Sequence, residues 1–201
     1  MESAGLYFYF LCWVVWIIST FFFQKSTIRT FLSVVLLLLI ASSTTYVDIF
    51  GFTTNVAFLV ILATSFILLI KTMKQKYILL YLSITTLSLA YVCFCIFEIF
   101  DPVWILFNRT WLLSFILLYL ALMLFKGRME RFVFMLAGIT QGEIFKCLLW
   151  KNVFAYSVMG EFDFLAVLTL SLAGMSTWVL FETITVYLDA VIQKRVKEKQ
   201  G

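Results

Sequence analysis

Seven apolar stretches, each close to twenty residues long, occupy almost the whole of this 201-residue chain. They run over 5–23, 28–46, 49–70, 77–97, 103–125, 132–150 and 164–187. A helix needs about 20 apolar residues to cross the roughly 30 Å hydrocarbon core of a bilayer. Within that core only helices and closed barrels satisfy their own backbone groups. The spacing therefore predicts an all-α, polytopic transmembrane helical bundle of seven spans, forming a single integral membrane domain over 1–201. A water-facing fold fails on composition. The chain is 64% hydrophobic and 13% charged, against about 45–50% and about 25% in soluble domains. Too few polar residues remain to clothe a soluble surface. The narrowest break, around 44–48, separates the second and third stretches and holds one charge, Asp48.

The distribution of charge gives the expected sidedness. Basic residues gather at every second connection: Lys25 and Arg29; Lys71, Lys74 and Lys76; Lys126, Arg128 and Arg131; then Lys194, Arg195, Lys197 and Lys199. The opposite ends carry Glu2, Asp48, Glu98, Asp101, Glu161 and Asp163, with Lys151 the exception. Cytoplasmic loops carry the excess of Lys and Arg. An odd number of spans then puts the N-terminus outside and the C-terminus in the cytoplasm, as expected of a multi-pass protein of the cell membrane. The net charge of +4 is spread over these short clusters and forms no basic face for nucleic acid. Asp101-Pro102 reads as a helix start. Trp104, Trp150, Tyr77 and Tyr187 sit where amphipathic aromatics anchor at interfaces, whereas Trp13 and Trp16 lie deeper, as packing residues.

Several chemistries lack their residues. There is no histidine, which removes histidine-based zinc and haem ligation and histidine proton relays. The four cysteines, Cys12, Cys93, Cys95 and Cys147, all fall inside apolar stretches and read as small buried hydrophobes. The first apolar stretch has its basic flank after it and no small-residue cleavage site, so it reads as a retained helix. No P-loop, protease motif or seventh-span lysine is present. One proline and eight glycines mark no broken transport helix. The chain is accordingly expected to have no catalytic, cofactor-binding or metal residues and to be no enzyme.

Four ionisable residues lie inside the stretches and need partners or a purpose, because such groups cost about 2.5–3.5 kcal/mol at mid-membrane on insertion scales. They are Arg109, Glu143, Lys146 and Glu182. Glu143 and Lys146 are three residues apart and share a helix face. Gly138 and Gly142 fall on the same arc in a small-x-x-x-small pattern that admits a neighbouring helix. Arg109 is placed about six residues inside the fifth span and is expected to pair with Glu143 or Glu98. The sequon Asn108-Arg109-Thr110 lies in a span and carries no weight. Ser171, Gly174, Trp178, Glu182, Thr185 and Asp189 make a polar, small stripe at helical period, with the basic cytoplasmic loops as counter-charges for Glu182.

The aromatic opening Tyr7-Phe8-Tyr9-Phe10-Leu11-Cys12-Trp13-Val14-Val15-Trp16, the length near two hundred residues and the element Gln141-Gly142-Glu143 resemble the YphA family of small integral membrane proteins of Bacillus and its relatives. The resemblance implies a bacterial cell membrane and brings no catalytic residues. The expected function is a non-enzymatic binding or regulatory membrane protein. The expected partners are the lipid bilayer and another membrane protein or a second copy. The alternative is a small-solute transporter or channel using Arg109, Glu143 and Lys146. A lipid-modifying enzyme is disfavoured for want of a nucleophile.

Overall fold

Each of the seven apolar stretches contains one helix in the computed structural model, which describes residues 2–72, 77–101, 103 and 108–200. In chain order the elements are α1 (Glu2–Phe21), α2 (Thr27–Ser42), β1 (Tyr46–Ile49), β2 (Phe52–Asn55), α3 (Val56–Thr72), α4 (Tyr77–Phe100), α5 (Arg109–Leu124), α6 (Arg128–Phe154), β3 (Val158–Met159) and α7 (Phe162–Gln200). Four helices, α1, α4, α6 and α7, are long and apolar enough to cross a membrane; α2, α3 and α5 are apolar but shorter.

The bundle buries an apolar core with a few polar side chains set into it, and its outer surface is also rich in large apolar side chains. Helix α6 packs against α3, α4, α5 and α7, and more of it is buried than of the other three long helices. Its buried face includes Gly138, Thr140, Gly142, Glu143 and Lys146. Large apolar side chains, among them Phe10, Phe66, Phe100, Phe115 and Leu180, point outward and stand exposed. Water would penalise that arrangement, and lipid tails accept it. Helix α7 contacts α1 and α5 as well as α6.

The packing of α6 against α4 runs through the two glycines read from sequence. A Cβ on Gly138 would collide with Leu87, and one on Gly142 would meet Tyr91 Cδ1 at 2.9 Å. Leu87 and Tyr91 are four residues apart on α4, as the glycines are on α6, so two knobs fill two notches.

Three corrections to the sequence reading follow. Residues 46–55, divided in the sequence reading between the second and third spans, form a β-hairpin. Its register pairs Tyr46 with Asn55 and Ile49 with Phe52, and β3 adds to β2 in parallel. Phe50 and Gly51 both have positive φ, 52° and 75°, as a two-residue turn of the twist-matching kind requires. The fifth helix starts at Arg109, with Asn108 as its N-cap accepting from the Thr110 N–H at 3.0 Å. Asp101 accepts from the Val103 N–H at 3.3 Å, while Pro102, Trp104, Lys74 and Lys76 lie outside the described residues. Of the cysteines, Cys12, Cys95 and Cys147 are buried but Cys93 faces outward, since two residues on a helix point about 200° apart.

The sheet is clamped to the helix ends. Asn55, fully buried, donates from Nδ2 to the Ser43 carbonyl at 2.7 Å and accepts the Ala57 N–H at 2.8 Å. One side chain thus closes the end of α2 and caps α3. Lys151, the basic residue on the acidic side, donates to the Gly51 carbonyl at 3.1 Å and sits 4.0 Å above the Phe52 ring. It ties the end of α6 to the hairpin tip.

Candidate functional site

The deepest charge is Glu143, whose side chain has no exposed surface. Helix α6 holds it at the centre, and α4, α6 itself and the segment between β3 and α7 supply its neighbours. Its Oε2 accepts from the Tyr91 hydroxyl on α4 at 2.7 Å and lies 2.7 Å from Lys146 Nζ. Its Oε1 accepts from Lys146 Nζ at 2.8 Å and from the Gly160 backbone N–H at 3.2 Å, with Cys147 Sγ at 3.7 Å. A carboxylate offers about four lone-pair sites. Tyr91, Gly160 and two contacts from Lys146 fill them.

Gly160 reaches the carboxylate because the segment after α6 dips into the bundle. Its φ is +77°, and a Cβ there would meet Phe58 Cβ at 2.5 Å and Asn55 Cβ at 3.3 Å. Only glycine fits both the conformation and the space. Irregular backbone is tolerated at such depth when protein buries it, and the Val158 carbonyl accepts from Cys147 Sγ at 3.3 Å. Nearby, the Tyr156 hydroxyl donates to the Glu161 carboxylate. Burial and that bond hold the Tyr156 phenol above the usual tyrosine range.

Arg109 pairs with Glu98 and not with Glu143. Its Nε donates to Glu98 on α4 at 2.6 Å, and its Nη1 donates to Asp163 on α7 at 2.7 Å. As the first residue of α5 it meets an unfavourable helix dipole, and two carboxylates offset that. The planar guanidinium serves both in a fork, so one side chain joins α4, α5 and α7.

At the other end, Glu182 on α7 accepts from Arg131 Nη1 at 3.0 Å and lies 3.5 Å from Arg128 Nε. Arg131 also donates to the Phe125 carbonyl at 2.8 Å, so it closes α5 and α6 onto α7. The polar stripe on α7 divides here: Ser171 is buried and bonded, whereas Thr185 and Asp189 are exposed.

The four candidates therefore form three separate assemblies. Sequence spacing found Glu143–Lys146, and Glu98 was one of two partners named for Arg109. Tyr91, Gly160 and Asp163 were missed, because contacts between residues 52, 17 and 54 positions apart leave no mark at helical period. Among the described residues no group of three or more Cys, Asp or Glu side chains converges as a metal site would.

A family model for YphA-like integral membrane proteins matches residues 4–201. The chain is similar to the uncharacterized protein YphA of Bacillus subtilis strain 168, with 26% identity over 161 residues, covering 79% of each chain. No solved structure matches.

Proposed function

Because the chain belongs to the family of YphA-like integral membrane proteins, we propose that it is a seven-span, multi-pass protein of the cell membrane that binds or regulates another membrane protein and is no enzyme. Its N-terminus lies outside and its C-terminus in the cytoplasm. Twelve basic residues on one side, against Lys151 and Arg109 at the other, support that orientation. Helix geometry supports the depth. Asp163 and Glu182 are 19 residues apart on α7, and Arg131 and Lys151 are 20 apart on α6. At 1.5 Å per residue these pairs are separated by about 28 and about 30 Å, one hydrocarbon thickness. Charged clusters then mark both membrane faces, and Glu143 sits between them in the outer half. The three shorter helices span about 24–26 Å, a mismatch that local thinning accommodates at modest cost.

One observation carries the functional reading: the intramembrane carboxylate has its lone pairs filled by the chain's own donors, and its counter-ion is the lysine one turn away. A solute site keeps groups free for the solute. These charges hold helices and a loop together, which suits a protein acting through its surface. The test is purification in native nanodiscs with mass spectrometry of proteins and small molecules. A stoichiometric protein partner is expected. A bound small molecule without a protein, together with flux that Glu143→Gln abolishes at normal protein level, would overturn the reading in favour of a transporter.

A further inference from the structure

Helix α7 continues without a break for 18 residues past Glu182 to Gln200, about 27 Å at helical rise. If Glu182 with Arg128 and Arg131 marks the inner edge of the hydrocarbon, the headgroup layer takes up only about 5–8 Å beyond it. Leu188 then lies about 9 Å and Ile192 about 15 Å past that edge, in water. Yet Tyr187, Leu188 and Ile192 are each more than half exposed. Phe181, Ile184, Leu188 and Val191 recur at intervals of three, four and three. They span an arc of about 80°, centred about 140° around the helix from the buried Ser171 and Met175. This stripe therefore faces away from the protein's own bundle, starting against lipid and ending in the cytoplasm. The tip beyond it carries Lys194, Arg195, Lys197 and Lys199 against Glu198.

Resting on the binding reading above, we propose that α7 beyond Glu182 is a docking helix for a cytoplasmic protein surface, received by an apolar groove with an acidic rim. An amphipathic helix laid in an apolar groove is a recurring recognition mode, read at this same spacing. Charge selects the occupant. A second copy packed in parallel would bring four cations against four cations. An anionic bilayer would attract the tip, but a straight continuation of a spanning helix leads away from the membrane surface. An acidic protein groove satisfies the stripe and the tip together.

The test is labelling of Leu188→Cys, and of Ile192→Cys as a second exposed position, with a membrane-impermeant maleimide, read against the unchanged chain. Inside-out vesicles of native membrane are compared with the purified chain in nanodiscs of phosphatidylcholine and of phosphatidylglycerol. Labelling is expected to be lost in native vesicles and to return in both nanodiscs. It is also expected to return in native vesicles when Lys194→Glu, Arg195→Glu and Lys197→Glu are combined. Fast labelling in native vesicles overturns the proposal, because nothing then covers the stripe. Protection in phosphatidylglycerol nanodiscs alone overturns it in favour of a lipid surface, and concentration-dependent protection of the purified chain in favour of a second copy. A partner that still co-purifies with the charge-reversed tip overturns this surface and leaves the binding reading standing. Absence of any partner on the unchanged chain removes the binding reading itself.

Discussion

A single added methyl group at Gly142 tests the close contact between α4 and α6. In Gly142→Ala the new Cβ meets Tyr91 Cδ1 at 2.9 Å and its Cβ and Cγ at 3.1 Å. These are not the far end of a flexible chain, so the helices must part or the ring must turn. Overpacking of this kind costs about 1–3 kcal/mol. Turning the ring also breaks the 2.7 Å bond from the Tyr91 hydroxyl to Glu143, and a hydrogen bond to a charged group is worth about 1.5–3 kcal/mol. Replacing a helical glycine by alanine returns about 1 kcal/mol. The net loss is about 1.5–5 kcal/mol, or roughly 3–20 °C in Tm for a chain of this size. Gly174→Ala is the control: its Cβ meets only the tip of Leu118, at 3.1 Å, and the expected change is within about 1 kcal/mol of zero. Thermal unfolding in one detergent compares the two. In a Tyr91→Phe background the cost of Gly142→Ala should fall, because the bond is already gone. Equal Tm values for the two alanine variants, or an unchanged cost in the Tyr91→Phe background, would refute the coupling of packing to the buried carboxylate.

Asn55→Ala leaves the buried Ser43 carbonyl and Ala57 N–H without their partner. It should cost about 2–4 kcal/mol, read as Tm, whereas Asn55→Asp keeps the cap on α3 and should lose less. Arg109→Lys keeps the charge but cannot fork to both Glu98 and Asp163. A loss of about 1–2 kcal/mol is expected after allowing for partial solvent screening, and Asp163→Asn should add little in that background if the lysine retains Glu98. The Tyr156 phenol should ionise above the ordinary value of about 10. The stability this adds is fully present below the unfolded value and is lost as pH rises through the raised folded one. The phenolate absorbance of the native chain minus that of Tyr156→Phe measures it, and ionisation at the ordinary value would contradict the Tyr156–Glu161 bond.

What the sequence disclosed follows from the period at which its signals repeat. Apolar length found the helices, and the three-residue step from Glu143 to Lys146 found their ion pair. The four-residue step from Gly138 to Gly142 found the face that admits α4. The hairpin escaped because Tyr46, Val47, Ile49, Phe50 and Phe52 are as apolar as any membrane helix, and its turn is Phe-Gly where Asn-Gly is the familiar sign. The start of α5 escaped for a related reason: apolar residues before Arg109 extended the predicted span, and Asn108 was seen only as part of a sequon. Lys146 beside Glu143, Glu98 as one choice for Arg109 and the basic loops opposite Glu182 could be named from sequence; the remaining partners of the buried charges were settled by tertiary geometry. Asp163 was read only as one of the acids at the ends opposite the basic clusters, and nothing in the sequence singled out Tyr91 or Gly160. Each becomes a ligand of a buried charge only once helices distant in sequence are brought together.

The most direct measurement compares Lys146→Met with the double variant Glu143→Gln, Lys146→Met, reading protein level in the membrane and recovery of the protein partner proposed above. If the pair holds the bundle together, the single variant strands a buried carboxylate. It should lose about 3–5 kcal/mol and fail to accumulate. The double variant, neutral and still able to accept from Tyr91 and Gly160, should return to near the unchanged level and keep its partner. A double variant that accumulates and folds normally but loses its partner, or abolishes a solute flux, would contradict a structural role for the intramembrane charges.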